Sequence, residues 1–274
     1  MTPAAPRFRL DPRVPPARAV RRLSLELLDH ALTHARRGDA RGIHEARKAC
    51  KRLRALLRLM RSGRSKAYRT ENRRLRDAAR ALSPQRDADV LRATARSVGL
   101  GLAVGTSPSG GSRAPAARAV QLLQAQRRAV GRWPSDALSR AALEAAVVEG
   151  YRRARRAGRQ ARRRPRADLL HEWRKQVKHH CHQCEAVATL WPHLLQRARA
   201  LDDLGEILGR HHDVEVLALA LQRQPHRFGA PEAVLPAARR LRREQEHLAA
   251  RALRAGAKLF RDDPRDGFGR EARR

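Results

Sequence analysis

Residues 43–51 read IHEARKACK, and residues 170–178 read LHEWRKQVK. One pattern, aliphatic-His-Glu-x-Arg-Lys-x-x-Lys, therefore occurs twice at an offset of 127 positions. Wound as a helix of about 100° per residue, the first copy sets Arg47, Lys48, Lys51 and Arg58 within roughly 60° of His44. Ala49, Leu53, Leu56, Leu57 and Met60 fall on the opposite side. A helix with one apolar and one cationic stripe has a core to cover and a charged face to present. The second copy repeats this, with Arg174, Lys175, Lys178 and His182 around His171 while Trp173, His180, Cys184 and Val187 face away.

A second pair of blocks follows in the same order. LSPQRDADVL from Leu82 aligns with LGRHHDVEVL from Leu208, so that Asp87 matches Asp213 and Leu91 matches Leu217, now at an offset of 126. Two blocks in one order at nearly one offset argue for a duplicated chain in which each half is a helical bundle. Between the blocks Ala, Leu, Arg, Glu and Gln dominate and apolar residues recur at three and four, which predicts an all-α fold without strands. Helix breaks are expected at Pro12, Pro15 and Pro16, at Gly38 and Gly42, and near Gly63, Ser83-Pro84, Trp133-Pro134, Pro165, Trp191-Pro192 and Pro225. The stretch GLGLAVGTSPSGGSRAP, residues 99–115, reads as a linker. The expected division is an N-terminal extension 1–16, a first helical half 17–98, the linker 99–115, a second half 116–260 and a fraying tail 261–274.

Composition names the class of partner. Sixty-one Lys and Arg against 27 Asp and Glu give +34 over 274 residues, far more than solubility requires, and imply a polyanion. Aromatic residues are only 3% of the chain, poor equipment for stacking exposed bases. The lysines are more specific. Only six of the 61 basic residues are Lys, and four of those six are Lys48, Lys51, Lys175 and Lys178, at matched positions of the two copies. A compact ammonium suits tetrahedral phosphate oxygens, while Arg47 and Arg174 beside them offer planar, bidentate contacts.

Other chemistries find less support. His179, His180, Cys181, His182 and Cys184 crowd one stretch, but structural zinc sites draw ligand pairs from separate elements, and His180 and Cys184 sit on the core side. They read as buried small thiols and core histidines, with no metal expected. His44 beside Glu45, and His211-His212 beside Asp213, are neighbours that point about 100° apart on a helix and do not converge. No Gly-rich phosphate loop, HExxH or nucleophile elbow is present. No catalytic residue and no cofactor is expected, and Asp87 and Asp213 are read as capping or bridging helices. Residues 151–168, YRRARRAGRQARRRPRAD, carry nine arginines on several faces without an apolar stripe, which suits long-range attraction or an acidic protein partner rather than a membrane-lying helix. Three cysteines in charged helical stretches fit a reducing cytoplasm. Residues 1–20 lack a signal-like apolar run, and no run of about 18 apolar residues occurs anywhere, so neither secretion nor membrane insertion is expected.

The paired His-x-x-Arg-Lys-x-x-Lys helices, each followed by a Leu-rich block with an Asp, resemble the CHAD (conserved histidine α-helical domain) family over roughly residues 17–260. The resemblance implies two pseudo-two-fold-related four-helix bundles around a basic groove or pore that binds inorganic polyphosphate, with association to polyphosphate granules. Carried over by position, its binding residues are His44, Arg47, Lys48, Lys51, Arg52 and Arg54, then His171, Arg174, Lys175 and Lys178. The cationic face adds Arg58, and the segment HHCHQCE after Lys178 adds His179 and His182 where the family usually has basic and aromatic residues. Cys181 stands where the family often has Arg and is left out. With ordinary pKa values near 6.5, His44, His171 and His182 gain charge on mild acidification, so affinity is expected to rise from pH 8 to 6. Nucleic acid is the rival partner for the same surface, and the sequence leaves the oligomeric state open.

Overall fold

A computed structural model describes residues 6–61, 65–100, 113–134, 138–228 and 231–262. Among the described residues there are nine α-helices, one 3-10 turn and no strand. The helices are α1 (Pro16–Arg37), α2 (Ala40–Leu59), α3 (Ser65–Ala81), α4 (Ser83–Ser97), α5 (Arg113–Gly131), α6 (Arg140–Arg163), α7 (Ala167–Val187), α8 (Leu194–Arg223) and α9 (Pro231–Leu259), with the turn at Pro225–Arg227.

Local chemistry sets the helix ends. Pro16 opens α1 at the position where a missing N–H costs nothing. Gly38 closes it with φ of 66°. Asp39 then caps α2, its carboxylate accepting from the Gly42 amide. Gly42 is therefore not a break but part of the first turn of α2, where a β-carbon would meet the His34 carbonyl oxygen at 2.5 Å. α4 ends in a Schellman turn: Gly99 takes φ of 72°, its amide donates to Arg96 O, and the Leu100 amide donates to Ala95 O. Asp87 and Asp213 lie inside α4 and α8, so neither caps a helix, and the Asp87 side chain is outside the described residues. The expected break at Gly63 and most of the linker, residues 101–112, are also outside them.

Packing forms two closed circuits. α1 contacts α2, α2 contacts α3, α3 contacts α5, and α5 returns to α1; likewise α6 contacts α7, α7 contacts α8, α8 contacts α9, and α9 returns to α6. The first circuit thus takes its fourth member, α5, from beyond the Gly/Ser/Pro-rich stretch, a helix the sequence had placed in the second half. The circuits meet where α2 packs on α7 and α6, and where α4 packs on α8. At the latter seam Ala95 and Leu100 share a small apolar cluster with Leu217 and Leu221, and Leu91 packs against it, so the two copies of the second block touch.

The apolar face expected on α2 is the one observed, with Ala49, Leu53, Leu56, Leu57 and Met60 all buried. Trp173 of α7 lies between Gly158 of α6 and Gly256 of α9, where an added β-carbon would meet the indole at 2.9 and 2.4 Å. The N-terminal extension is no loose end. Phe8 and Leu10 are buried, the Leu10 amide donates to Ala186 O at 2.8 Å, and the Thr189 hydroxyl donates to Leu10 O. The expected fraying tail begins tied down, since the Tyr151 hydroxyl donates to Asp262 O; residues 263–274 are outside the described set.

Candidate functional site

The contact between α2 and α7 brings the two motif helices together, with Arg52 Nη2 donating to Glu185 Oε1 at 3.1 Å. Beside it opens a cavity of about 510 Å³. α2 lines it with His44, Arg47, Lys48, Lys51 and Arg52; α7 with Lys178, Cys181, His182 and Glu185; α8 with Leu195, Ala198, Arg199, Asp202 and Glu206; and the N-terminal segment with Arg9. Seven Lys or Arg face three carboxylates, so the lining is cationic.

The acids sit on the α7–α8 side. Lys178 Nζ donates to Asp202 at 2.9 Å and to Glu206 at 2.7 Å, and its alkyl stem lies against Gly205, where a β-carbon would meet Cε at 2.7 Å. Burial opposes the charge of Lys178, but its hydrogen bonds to Glu206 and Asp202 outweigh this and hold the pKa above the usual lysine value. Burial likewise opposes ionisation of Glu185, yet His182 and Arg52 beside it keep its carboxyl below the usual range. The surplus of positive charge lies on α2, Arg9 and Arg199, with His44, Lys48 and Lys51 exposed. At the 126-residue offset, Arg76 and Arg80 stand where the second copy has Asp202 and Glu206. The two copies of the motif are therefore electrostatically unequal.

Seven of the expected residues, His44, Arg47, Lys48, Lys51, Arg52, Lys178 and His182, reach this one cavity. Arg47 also secures the corner between α3 and α4, donating to Ala79 O at 2.8 Å and to the Ser83 hydroxyl. The other six lie elsewhere. Arg54 Nε donates to Asn72 Oδ1 at 2.9 Å and Arg58 Nη1 to the Tyr68 hydroxyl at 3.2 Å, both toward α3, and burial lowers both guanidinium pKa values. His171 packs on His212 of α8 with ring centroids 4.2 Å apart. Arg174 runs over Gly209, and exposed Lys175 pairs with Glu172. His179, expected on the cationic face, is only 9% exposed, because the second half of α7 is enclosed by α2, α6 and α8.

That enclosure corrects the expected histidine titration. Burial first, then His212, lowers the His171 pKa to about 4; burial also lowers His182 despite Glu185 at 3.5 Å, and puts His179 well below the ordinary value. His171 therefore stays neutral between pH 8 and 6, and burial opposes protonation of His179 and His182. The thiols are equally quiet: burial raises Cys181 to about 12, its Sγ donating to Ala198 O at 3.4 Å, and raises Cys184 still further beside His180. Among the described residues no three His, Cys, Asp or Glu are placed to hold a metal.

Arg9 and Arg199 were not singled out from the sequence, because neither lies in a repeated block. The only sequence trace of Arg9's placement is that apolar Phe8 and Leu10 flank it. Phe8 sits under the Arg52 guanidinium, 4.7 Å from its ring centroid, and edge-on to His182 at 6.0 Å, which carries Arg9 to the cavity wall.

Among the described residues no helix is long and apolar enough to cross a membrane. A search of curated proteins finds no match to this chain. The family model described as the CHAD domain matches residues 22–222, which include α2 and α7 and exclude the N-terminal segment that bears Arg9. With most of its length so matched, the chain belongs to the CHAD domain family.

Proposed function

We propose that the protein is a non-catalytic binder of inorganic polyphosphate and that the polymer is held in the cavity shared by α2, α7, α8 and the N-terminal segment. The observation that carries this reading is the convergence there of seven Lys and Arg, four of them from one motif helix. Exposed ammonium groups and guanidinium forks from several elements suit a flexible chain of tetrahedral phosphates, which gains affinity from many contacts and from released counterions. The one nucleophile-type side chain in the cavity, Cys181, has a thiol raised to about 12, which favours binding over catalysis. Within this reading the two helical circuits are two four-helix bundles related by a pseudo-two-fold, and the boundary between them falls after α5 rather than at the Gly/Ser/Pro-rich stretch. α2 supplies the principal surface; Lys178 and His182 supply the facing wall. A cytoplasmic protein on polyphosphate granules is the setting this function fits.

Nucleic acid competes for the same charge pattern. The cavity lining has no Phe, Tyr or Trp on which bases could stack, and this favours the polymer without bases. Competition decides between them. Long-chain polyphosphate should displace labelled single-stranded DNA or RNA at equal phosphate concentration and physiological salt, and nucleic acid that competes as well as polyphosphate overturns the reading.

A further inference from the structure

On the other side of the α2–α7 contact lies a second cavity, of about 470 Å³, that the polyphosphate reading does not use. Arg58 and His179 face it, Arg61 stands beside them, and Ala142 and Ala146 of α6 form an apolar wall. Among the described residues Arg58 makes one hydrogen bond, to the Tyr68 phenol, its buried Nε has no acceptor, and half-buried Arg54 one turn earlier has only the Asn72 amide oxygen. No carboxylate of the described residues pairs with either. Glu149, the one acid among the described residues lining this cavity, is held by Arg153 at 2.7 Å, and Glu172, whose charge reaches Arg58, is bound by Lys175 and Gln176. On the facing wall buried Gln183 also has an amide oxygen without a partner.

A half-buried guanidinium without an anion gains stability by acquiring one, because its desolvation is only partly compensated and most of its donors are unused. We propose that this cavity is a second anion site, independent of the polyphosphate cavity, for a small organic anion whose phosphate or carboxylate lies against Arg58 and Arg61 and whose apolar body lies on the alanine wall. The wall explains why the ligand is not bare phosphate: one flank of the cavity offers carbon and no donor. The ends of Arg58 and Arg61 flank Tyr68, with the Arg61 guanidinium 5.5 Å from the ring centroid, which fixes where the charged head sits.

The test uses phenyl phosphate, benzoate and inorganic phosphate as probes, read by calorimetry and thermal shift on the full chain. Phenyl phosphate or benzoate should bind at least tenfold more tightly than inorganic phosphate, and whichever of the two binds better identifies the head group. Arg58→Met should abolish that binding and leave the ligand-free melting temperature unchanged or higher, since an uncompensated charge is removed. Ala146→Leu, which fills the wall without touching the charge, should weaken binding at least tenfold. The double variant Lys48→Ala, Lys51→Ala should bind the probe as the wild type does, and so should protein saturated with polyphosphate. Probe binding unaffected by Arg58→Met and Ala146→Leu overturns the site, as does a lower ligand-free melting temperature for Arg58→Met. Displacement of the probe by polyphosphate overturns its independence. Failure of polyphosphate to bind at all would sink the earlier reading and leave this one standing.

Discussion

At the scale of single residues, the matched lysines are not equivalent. Lys48 and Lys51 are exposed at the cavity, Lys178 is held by Asp202 and Glu206, and Lys175 lies outside the cavity beside Glu172. Replacing Lys48 and Lys51 together by Ala should lower polyphosphate affinity by about tenfold or more, the scale of losing charge-assisted contacts, and flatten the log–log salt slope by about two. Lys175→Ala should change affinity less than about twofold, as for an exposed pair. Titrations at several salt concentrations measure both. Conversely, Asp202→Asn with Glu206→Gln should raise affinity, because it removes two negative charges and releases Lys178; unchanged affinity in the same assay would count against the cavity. The buried histidines act on stability. The folded pKa values of His171 (about 4), His179, His180 (about 3) and His182 lie below the unfolded value of 6.5. The unfolded chain therefore takes up more protons once pH falls below 6.5, so stability is full above that value and is lost progressively toward pH 4. The melting temperature should drop by several degrees between pH 7 and 5, and His171→Gln should leave the pH profile of binding from 8 to 6 unaltered. The composition singles out these lysines. It could not reveal which had acids opposite them, because those acids lie on α8, 24 and 28 positions further along the chain.

At the scale of elements, α2 was legible and α7 only in part. A helix with one buried stripe announces it by the spacing of its apolar residues, and α2 does so from Ala49 to Met60. Beyond Val177 α7 is covered on several sides, and a helix buried all round has no polar face for periodicity to locate. His179, His180 and Gln183 are polar letters in buried positions, which is why the cationic face was extended to His179. The N-terminal segment was legible least of all, since its anchor is the Ala186 carbonyl, a backbone group that leaves no mark in the sequence. It carries a prediction of its own. Phe8→Ala should lower polyphosphate affinity as much as Arg9→Ala does, because it releases both Arg9 and the ring beneath Arg52, and Arg9→Lys should restore most of the loss. A Phe8 variant that binds normally would separate this segment from the site.

At the scale of the whole molecule, the excess of 34 positive charges acts at a distance while the cavity acts on contact. The arginines of α6 and α9, outside the cavity, raise the local concentration of any polyanion but are screened within about 10 Å at 0.1 M salt. Polyphosphate association rates should therefore fall steeply with salt for the wild type and for the Lys48, Lys51 variant alike, whereas dissociation should be faster in the variant alone; stopped-flow mixing distinguishes the two. The all-helical class was readable because a 3.6-residue period survives in one sequence. The partner of α5 was not, since which helix closes a circuit depends on packing between surfaces that resemble one another. The N-terminal segment has a further consequence, for the order of events at birth. Phe8 and Leu10 are made well before their resting place on Ala186, which does not exist until α7 has been synthesised, some 176 residues after Leu10. Throughout that interval the nascent chain carries an apolar hook with nothing to seize, and Arg9 reaches the cavity only when the hook closes. On the proposed reading, the seven-cation cavity is complete only once the hook has closed and α8 has added Arg199, so a chain that stops short of α8 cannot assemble it.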